Sequence, residues 1–239
     1  MKKSKILVSI AIAVFGTTAM SFAADANRFS STDKLSPEGY WVQFDEDNDA
    51  GRGMPEGIIH TYFAKSDKYG KKGTLQMEIV VPLMYVDSSG KLTKPRATCY
   101  NCSNGSYNGF NYMSKNAPLE GFVFAGNMQP EAGTAVANQK SDVYKNGGVI
   151  NPNDGKVYAS EAQVQDSGDT MFVKAAYIFC GKELGSKSAH WKRIIKADYE
   201  KVKTDCGVTA DGQYTNSDTK VTSLCTNYPV VQFGVKSPV

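Results

Sequence analysis

The chain has 239 residues, and its formal charge of +3 comes from 27 basic and 24 acidic side chains. Three of the lysines stand at positions 2, 3 and 5; without them the rest is balanced at 24 of each sign, so the pI of about 8.4 gives no electrostatic case for nucleic acid or acidic membrane as a partner. Thirteen Tyr, eleven Phe and 22 Gly, without long Ala/Leu/Glu/Lys stretches at helical period, argue against a helical scaffold and for short strands joined by tight turns.

The first 23 residues read as a secretory signal: Lys2, Lys3 and Lys5, an apolar run from Ile6 to Phe15, and Ser21-Phe22-Ala23 as a small-residue cleavage site. That apolar run is too short to span a bilayer, and no later stretch reaches roughly 18 uncharged apolar residues. The expectation is cleavage after Ala23, a periplasmic or secreted protein, and no integral membrane segment afterwards. Residues 24–36 are polar and expected to be flexible.

From there the predicted elements are strands. Gly39 to Phe44 reads as the first and Ile58 to Ala64 as the second, with the polar DEDNDAGRGMPEG between them. Thr74 to Val81 alternates, placing Leu75, Met77, Ile79 and Val81 on one face. Residues 87–119 are loop-rich. Gly121 to Met128 is a strand, 131–146 is irregular, and Gly148 to Ile150 leads to a corner. In Lys156 to Gln165, Tyr158, Ser160, Ala162 and Val164 share a face. Thr170 to Phe179 places Met171, Val173, Ala175, Tyr177 and Phe179 on one side, and His190 to Ile195 closes the series. The corner, GGVINPNDGKVY (147–158), is a hairpin turn rather than a phosphate loop. Pro152 fixes φ, Gly155 supplies positive φ, and the segment that follows has period two, not the helix a phosphate cradle needs. Seven or eight such strands predict an antiparallel barrel or sandwich over 37–195, followed by a separate unit, 196–239.

These residues also carry a resemblance. Gly39-x-Trp41, Pro118-Leu119-x-Gly121, Gly147-Gly148-x-Ile150-x-Pro152-x-x-Gly155-Lys156-x-Tyr158 and Trp191-x-Arg193 resemble the exported bacterial family catalogued as domain of unknown function 2147, over about residues 36–195. Ala176 stands where that family has glycine. The resemblance implies an all-β, lipocalin-like barrel without an assigned enzyme activity. It also implies that Trp41 plugs the closed end under Arg193, a guanidinium–indole contact of about 1 kcal/mol. Gly39, Gly148, Pro152, Gly155, Tyr158 and Trp191 are then structural.

Five cysteines follow the leader. In an oxidising compartment the expected bridges are Cys99–Cys102, pinning a loop, and Cys206–Cys225, clamping the C-terminal extension; Cys180 is left as a buried free thiol. A redox dithiol would need a helix N-terminus that KPRATCYNCSNG does not promise, and a zinc site would need a second ligand pair at knuckle spacing. Asp45, Asp47, Asp49 and Glu56 have calcium-loop spacing, but Ala50 holds the glycine position and Pro55 adjoins Glu56, which favours a solvated acidic loop. His60 and His190 are the only histidines, and no nucleophile elbow, zinc-type His pair or P-loop is present. The sequence therefore points to a binding protein without catalytic residues, cofactor or metal. Its ligand would be a small hydrophobic or amphipathic molecule, lined by Leu75, Met77, Ile79, Met171, Val173 and Tyr177. The alternative is an envelope interaction module, its barrel filled by its own Phe and Tyr, acting through loops 87–119 and 131–146 or the Cys206–Cys225 appendage. An envelope enzyme with His190 as general base stands third.

Overall fold

The computed structural model describes residues 34–46, 52–53, 55–83, 85–86, 89, 91–93, 98–99, 101–194 and 196–206. The leader, residues 47–51 and 54 of the acidic loop (Asp47 and Asp49 among them), and Cys225 lie outside these residues. Twelve strands are described: β1 Gly39–Phe44, β2 Pro55–Phe63, β3 Leu75–Pro82, β4 Tyr85–Val86, β5 Leu92–Thr93, β6 Asn104–Tyr107, β7 Phe110–Met113, β8 Phe122–Glu131, β9 Val143–Ile150, β10 Val157–Gln165, β11 Thr170–Phe179 and β12 Lys182–Arg193. One helix, α1 (Lys196–Cys206), follows.

β1, β2, β3 and β8–β12 form a closed eight-stranded antiparallel barrel in which each strand bonds to the next and β12 returns to β1. Closure leaves the barrel strands no free edge for other chains to pair with. The insertion between β3 and β8 carries two small hairpins, β4–β5 and β6–β7.

Period-two patterning divides the apolar side chains into two clusters. Trp41, Ile59, Leu75, Met77, Phe124, Met128, Ile150, Val164, Met171 and Trp191 belong to the interior. Tyr40, Val42, Phe44, Ile58, Val80, Val81, Leu83 and Ile194 form an outer patch completed by Tyr199 and Val202 of α1. The start of the unit 196–239 is thus a helix docked on the barrel wall, with the Tyr199 ring 4.3 Å from that of Tyr40.

One predicted face needs correction. Val81 does not share the face of Leu75, Met77 and Ile79. Ile58 pairs with Val81 but Ile59 with Ile79, so Val80 is an extra residue, and this bulge turns Val80 and Val81 outward together.

Several strands extend beyond their predicted limits: β2 starts at Pro55 rather than Ile58, and β8 runs to Glu131 rather than Met128. β9 starts at Val143, inside the stretch read as irregular, and β12 starts at Lys182 rather than near His190. Cys180 is also corrected. It is exposed, not buried, because Phe179 pairs with Lys182 and leaves Cys180 and Gly181 as a two-residue turn with φ of 48° and 73°. Positive φ at both positions suits the right-handed strand twist.

Candidate ligand cavity

One end of the barrel is sealed. Trp41 is fully buried and donates its indole N–H to Thr61 Oγ1 (2.9 Å) and the Pro37 carbonyl (3.2 Å). The Arg193 guanidinium lies 4.0 Å from the indole centroid. Its N–H groups donate to the carbonyls of Gly168 (2.7 Å), Glu38 (2.9 Å) and Ser36 (2.8 Å), tying the N-terminal segment and the β10–β11 turn to the last strand. The glycine of Gly39-x-Trp41 is explained here: its φ is +137°, and a Cβ would stand 2.8 Å from Arg193 Nη1.

The corner that follows β9 lies at the other end. Asn151 N–H donates to the Lys156 carbonyl (2.9 Å) and Gly155 N–H to the Asn151 carbonyl (2.8 Å), closing a tight turn with Gly155 at φ +73°. A Cβ on Gly155 would fall 2.1 Å from the Asn101 carbonyl oxygen, so this glycine also lets the Cys99–Cys102 loop sit against the corner. The two cysteines are joined in a disulfide, and with Leu119 they enter the interior cluster, covering part of the mouth. The side chain of Cys206 and all of Cys225 lie outside the description.

Gly148 serves the outside of the wall. It pairs with Gly126, and the Phe110 ring of the β6–β7 hairpin lies over both: Cβ atoms there would approach it to 3.2 and 2.8 Å.

Between plug and mouth lies a cavity of about 240 Å³. Met77, Ile79, Phe124, Val149, Ile150, Val173, Ala189 and Trp191 supply its apolar wall, and Ser160, Asn151 and Lys187 are among its polar lining. A second hollow of about 500 Å³ at the rim is lined by Tyr158, Tyr177, Ala175, Asp154 and Lys187. Of the predicted lining residues, Met77, Ile79 and Val173 lie on the cavity wall. Leu75 and Met171 are fully buried in the interior cluster and do not line the cavity, whereas Tyr177 is half exposed at the rim. Trp191 and Tyr158, structural by the resemblance, line the cavity and the rim hollow, and Lys187 and Phe124 carry no distinguishing signal in the sequence. Period two marked Ser160, but only strand register shows what stands beside it.

The histidines sit on the outer face. His60 Nδ1 lies 2.7 Å from Glu78 Oε1, its ring stacked on Tyr40 and Tyr62. His190 Nδ1 lies 3.3 Å from Glu46 Oε2. Of the calcium-spaced residues, Asp45 is buried with its backbone carbonyl accepting from Gly53 N–H, and Glu56 accepts from Gln43 (2.9 Å). Among the described residues no group of three or more His, Cys, Asp or Glu is placed to hold a metal ion, and no helix is long and apolar enough to cross a membrane.

A profile of the family described as uncharacterised protein conserved in bacteria (DUF2147) matches residues 39–193. Among solved structures, protein HP1028 of Helicobacter pylori, described as belonging to the lipocalin family, aligns over 80% of this chain and 98% of its own, with 17% identity and a TM-score of 0.43. No curated protein matches the chain.

Proposed function

The chain belongs to the DUF2147 family of bacterial proteins, and from that premise we propose that it is an exported carrier or sensor that encloses one small apolar or amphipathic molecule in its barrel. The observation that carries this is the mouth-side cavity of about 240 Å³ above the Trp41–Arg193 seal, walled by apolar side chains from β3, β8, β9, β11 and β12. Removing a ligand from water there is favourable by about 0.8 kcal/mol for each CH₂ buried. Export rests on the leader and agrees with the Cys99–Cys102 bridge.

The size is informative. A cavity of roughly 150 Å³ with an apolar lining accepts benzene, so this one suits a substituted ring or a short chain and is too small for a whole phospholipid. The test is native mass spectrometry of the mature protein purified from the exported fraction. A co-purifying small molecule that is lost when Val173 and Ala189 are enlarged to Phe supports enclosure; unliganded protein that also fails to take up small apolar probes refutes it.

The second reading, an envelope interaction module, draws on the β11–β12 hairpin, where Ile178, Phe179 and Leu184 are 37–63% exposed. Partner loss on Phe179→Ser with small-molecule uptake intact would favour it.

A further inference from the structure

Resting on the reading that the cavity holds a ligand, we infer that the occupant is recognised through two neutral polar groups: a carbonyl oxygen at its buried end accepts the Trp191 indole N–H, and a hydroxyl at its outer end meets Ser160 Oγ.

Strand register sets the levels. Ser160, Ala175 and Lys187 are paired across β10, β11 and β12 and form the inward row where the cavity meets the rim. The next row down is Ala162, Val173 and Ala189, apolar and small. The row below that is Val164, Met171 and Trp191, and there the indole lines the deep end. Two rows are four residues, which puts the Ser160 and Trp191 levels about 13 Å apart along the strands. A molecule lying in this space meets a polar group at each end and apolar side chains between them.

The two tryptophans supply the contrast. Trp41 is fully buried and Trp191 is 4% exposed. A buried indole N–H ordinarily finds an acceptor, and Trp41 has two, Thr61 Oγ1 and the Pro37 carbonyl. Trp191 Nε1 has none among the described residues, although the ring is packed against Phe124 with centroids 6.3 Å apart. Ser160 Oγ has none either, and Ser160 is 6% exposed. Both side chains line the cavity.

The surroundings decide what the acceptor is. An indole N–H only donates, so it selects an acceptor. A buried water is held by two to four polar partners. The register partner Met171 and the row above, Ala162, Val173 and Ala189, offer it none. A carboxylate at this depth would be an ion in apolar surroundings, which costs far more than a neutral group. A carbonyl oxygen on an apolar body satisfies the donor without that cost. The Ser160 hydroxyl both donates and accepts, which matches a hydroxyl at the outer end.

The experiment is calorimetric titration of the full mature chain with three neutral probes of similar size: 4-(hydroxymethyl)acetophenone, which has both groups; 4-ethylbenzyl alcohol, which lacks the carbonyl; and 4-methylacetophenone, which lacks the hydroxyl. The first should bind about tenfold tighter than either. Trp191→Phe should erase its advantage over the ethyl compound, and Ser160→Ala its advantage over the methyl compound, with thermal melts confirming that each variant is folded. Trp41 and Trp191 are the chain's two tryptophans, so its proton–nitrogen correlation spectrum holds two indole signals. The ketones should move the Trp191 signal downfield and leave that of Trp41 in place, a readout on the unaltered protein. Equal binding of the carbonyl and ethyl probes, with the Trp191 signal unmoved, overturns this inference and leaves the enclosure reading standing. Failure of all three probes to bind overturns both.

Discussion

Arg193 and Trp41 are register partners on β12 and β1, and the guanidinium of one lies 4.0 Å over the indole of the other. The contact closes the barrel twice: in its hydrogen-bonded ladder, where the last strand meets the first, and at its base, where the ring is covered. Arg193→Ala removes a cation–π contact and several charge-assisted bonds to backbone carbonyls. The expected loss is about 3 kcal/mol in urea unfolding, with Trp41 emission shifted toward that of a solvated indole. Arg193→Lys keeps the charge without the planar fork and should recover at most about half of this.

The Gly126–Gly148 pair makes a flat patch on the outer wall, and Phe110 lies on it. Gly126→Ala places a methyl 2.8 Å from Phe110 Cδ2, so the hairpin or the wall has to shift. The expected cost is about 1–2 kcal/mol. In a Phe110→Ala background the same methyl keeps only an ordinary contact, 3.4 Å from the Tyr69 carbonyl oxygen, and the cost should fall close to zero. A double-mutant cycle measures this coupling; additive effects would mean that Phe110 does not constrain this patch.

The plug was legible through the family resemblance, carried by a Gly-x-Trp at the head of the first strand and an arginine at the end of the last. The inward faces of β3 and β11 were legible from alternation, which is why Met77, Ile79 and Val173 reach the cavity wall. The first half of β12 was not. Residues 182–188 face the mouth on one side and water on the other, so neither face needs apolar residues, and the strand signal vanishes. Nor could alternation foresee the bulge at Val80, which reverses the parity it depends on. The polar row of Ser160, Ala175 and Lys187 comes from three strands, and its members become neighbours only through register.

Thiol chemistry separates the cysteines. Cys180 stands exposed at a hairpin turn, whereas Cys99 and Cys102 are buried and bonded to each other. Alkylation of the folded protein followed by peptide mapping should label Cys180 first and leave Cys99 and Cys102 unlabelled. Cys180→Ser should change stability by less than about 0.5 kcal/mol, as a substitution on the surface. Replacing Cys99 and Cys102 together by Ser should cost about 2 kcal/mol, the loop-closure value for so short a ring. Rapid labelling of Cys99 without reductant would contradict its placement under the mouth.

Tyr62 offers a test at alkaline pH. Burial, then the Glu78 carboxylate, then Tyr69 push its phenol well above the ordinary tyrosine value of 10.0. A group whose folded pKa is raised contributes stability that is complete below the unfolded pKa and is lost as pH climbs from that value toward the folded one. Above about pH 10 the unfolded chain ionises this phenol while the folded barrel keeps it neutral. The melting temperature of the wild type relative to Tyr62→Phe should therefore stay constant up to about pH 10 and then move against the wild type. Phenylalanine fits the stack with His60 and has no proton to lose, so the other tyrosines cancel in the comparison. A difference that stays flat through about pH 11 would mean that Tyr62 titrates like a surface phenol and that the pocket beside Glu78 is wet.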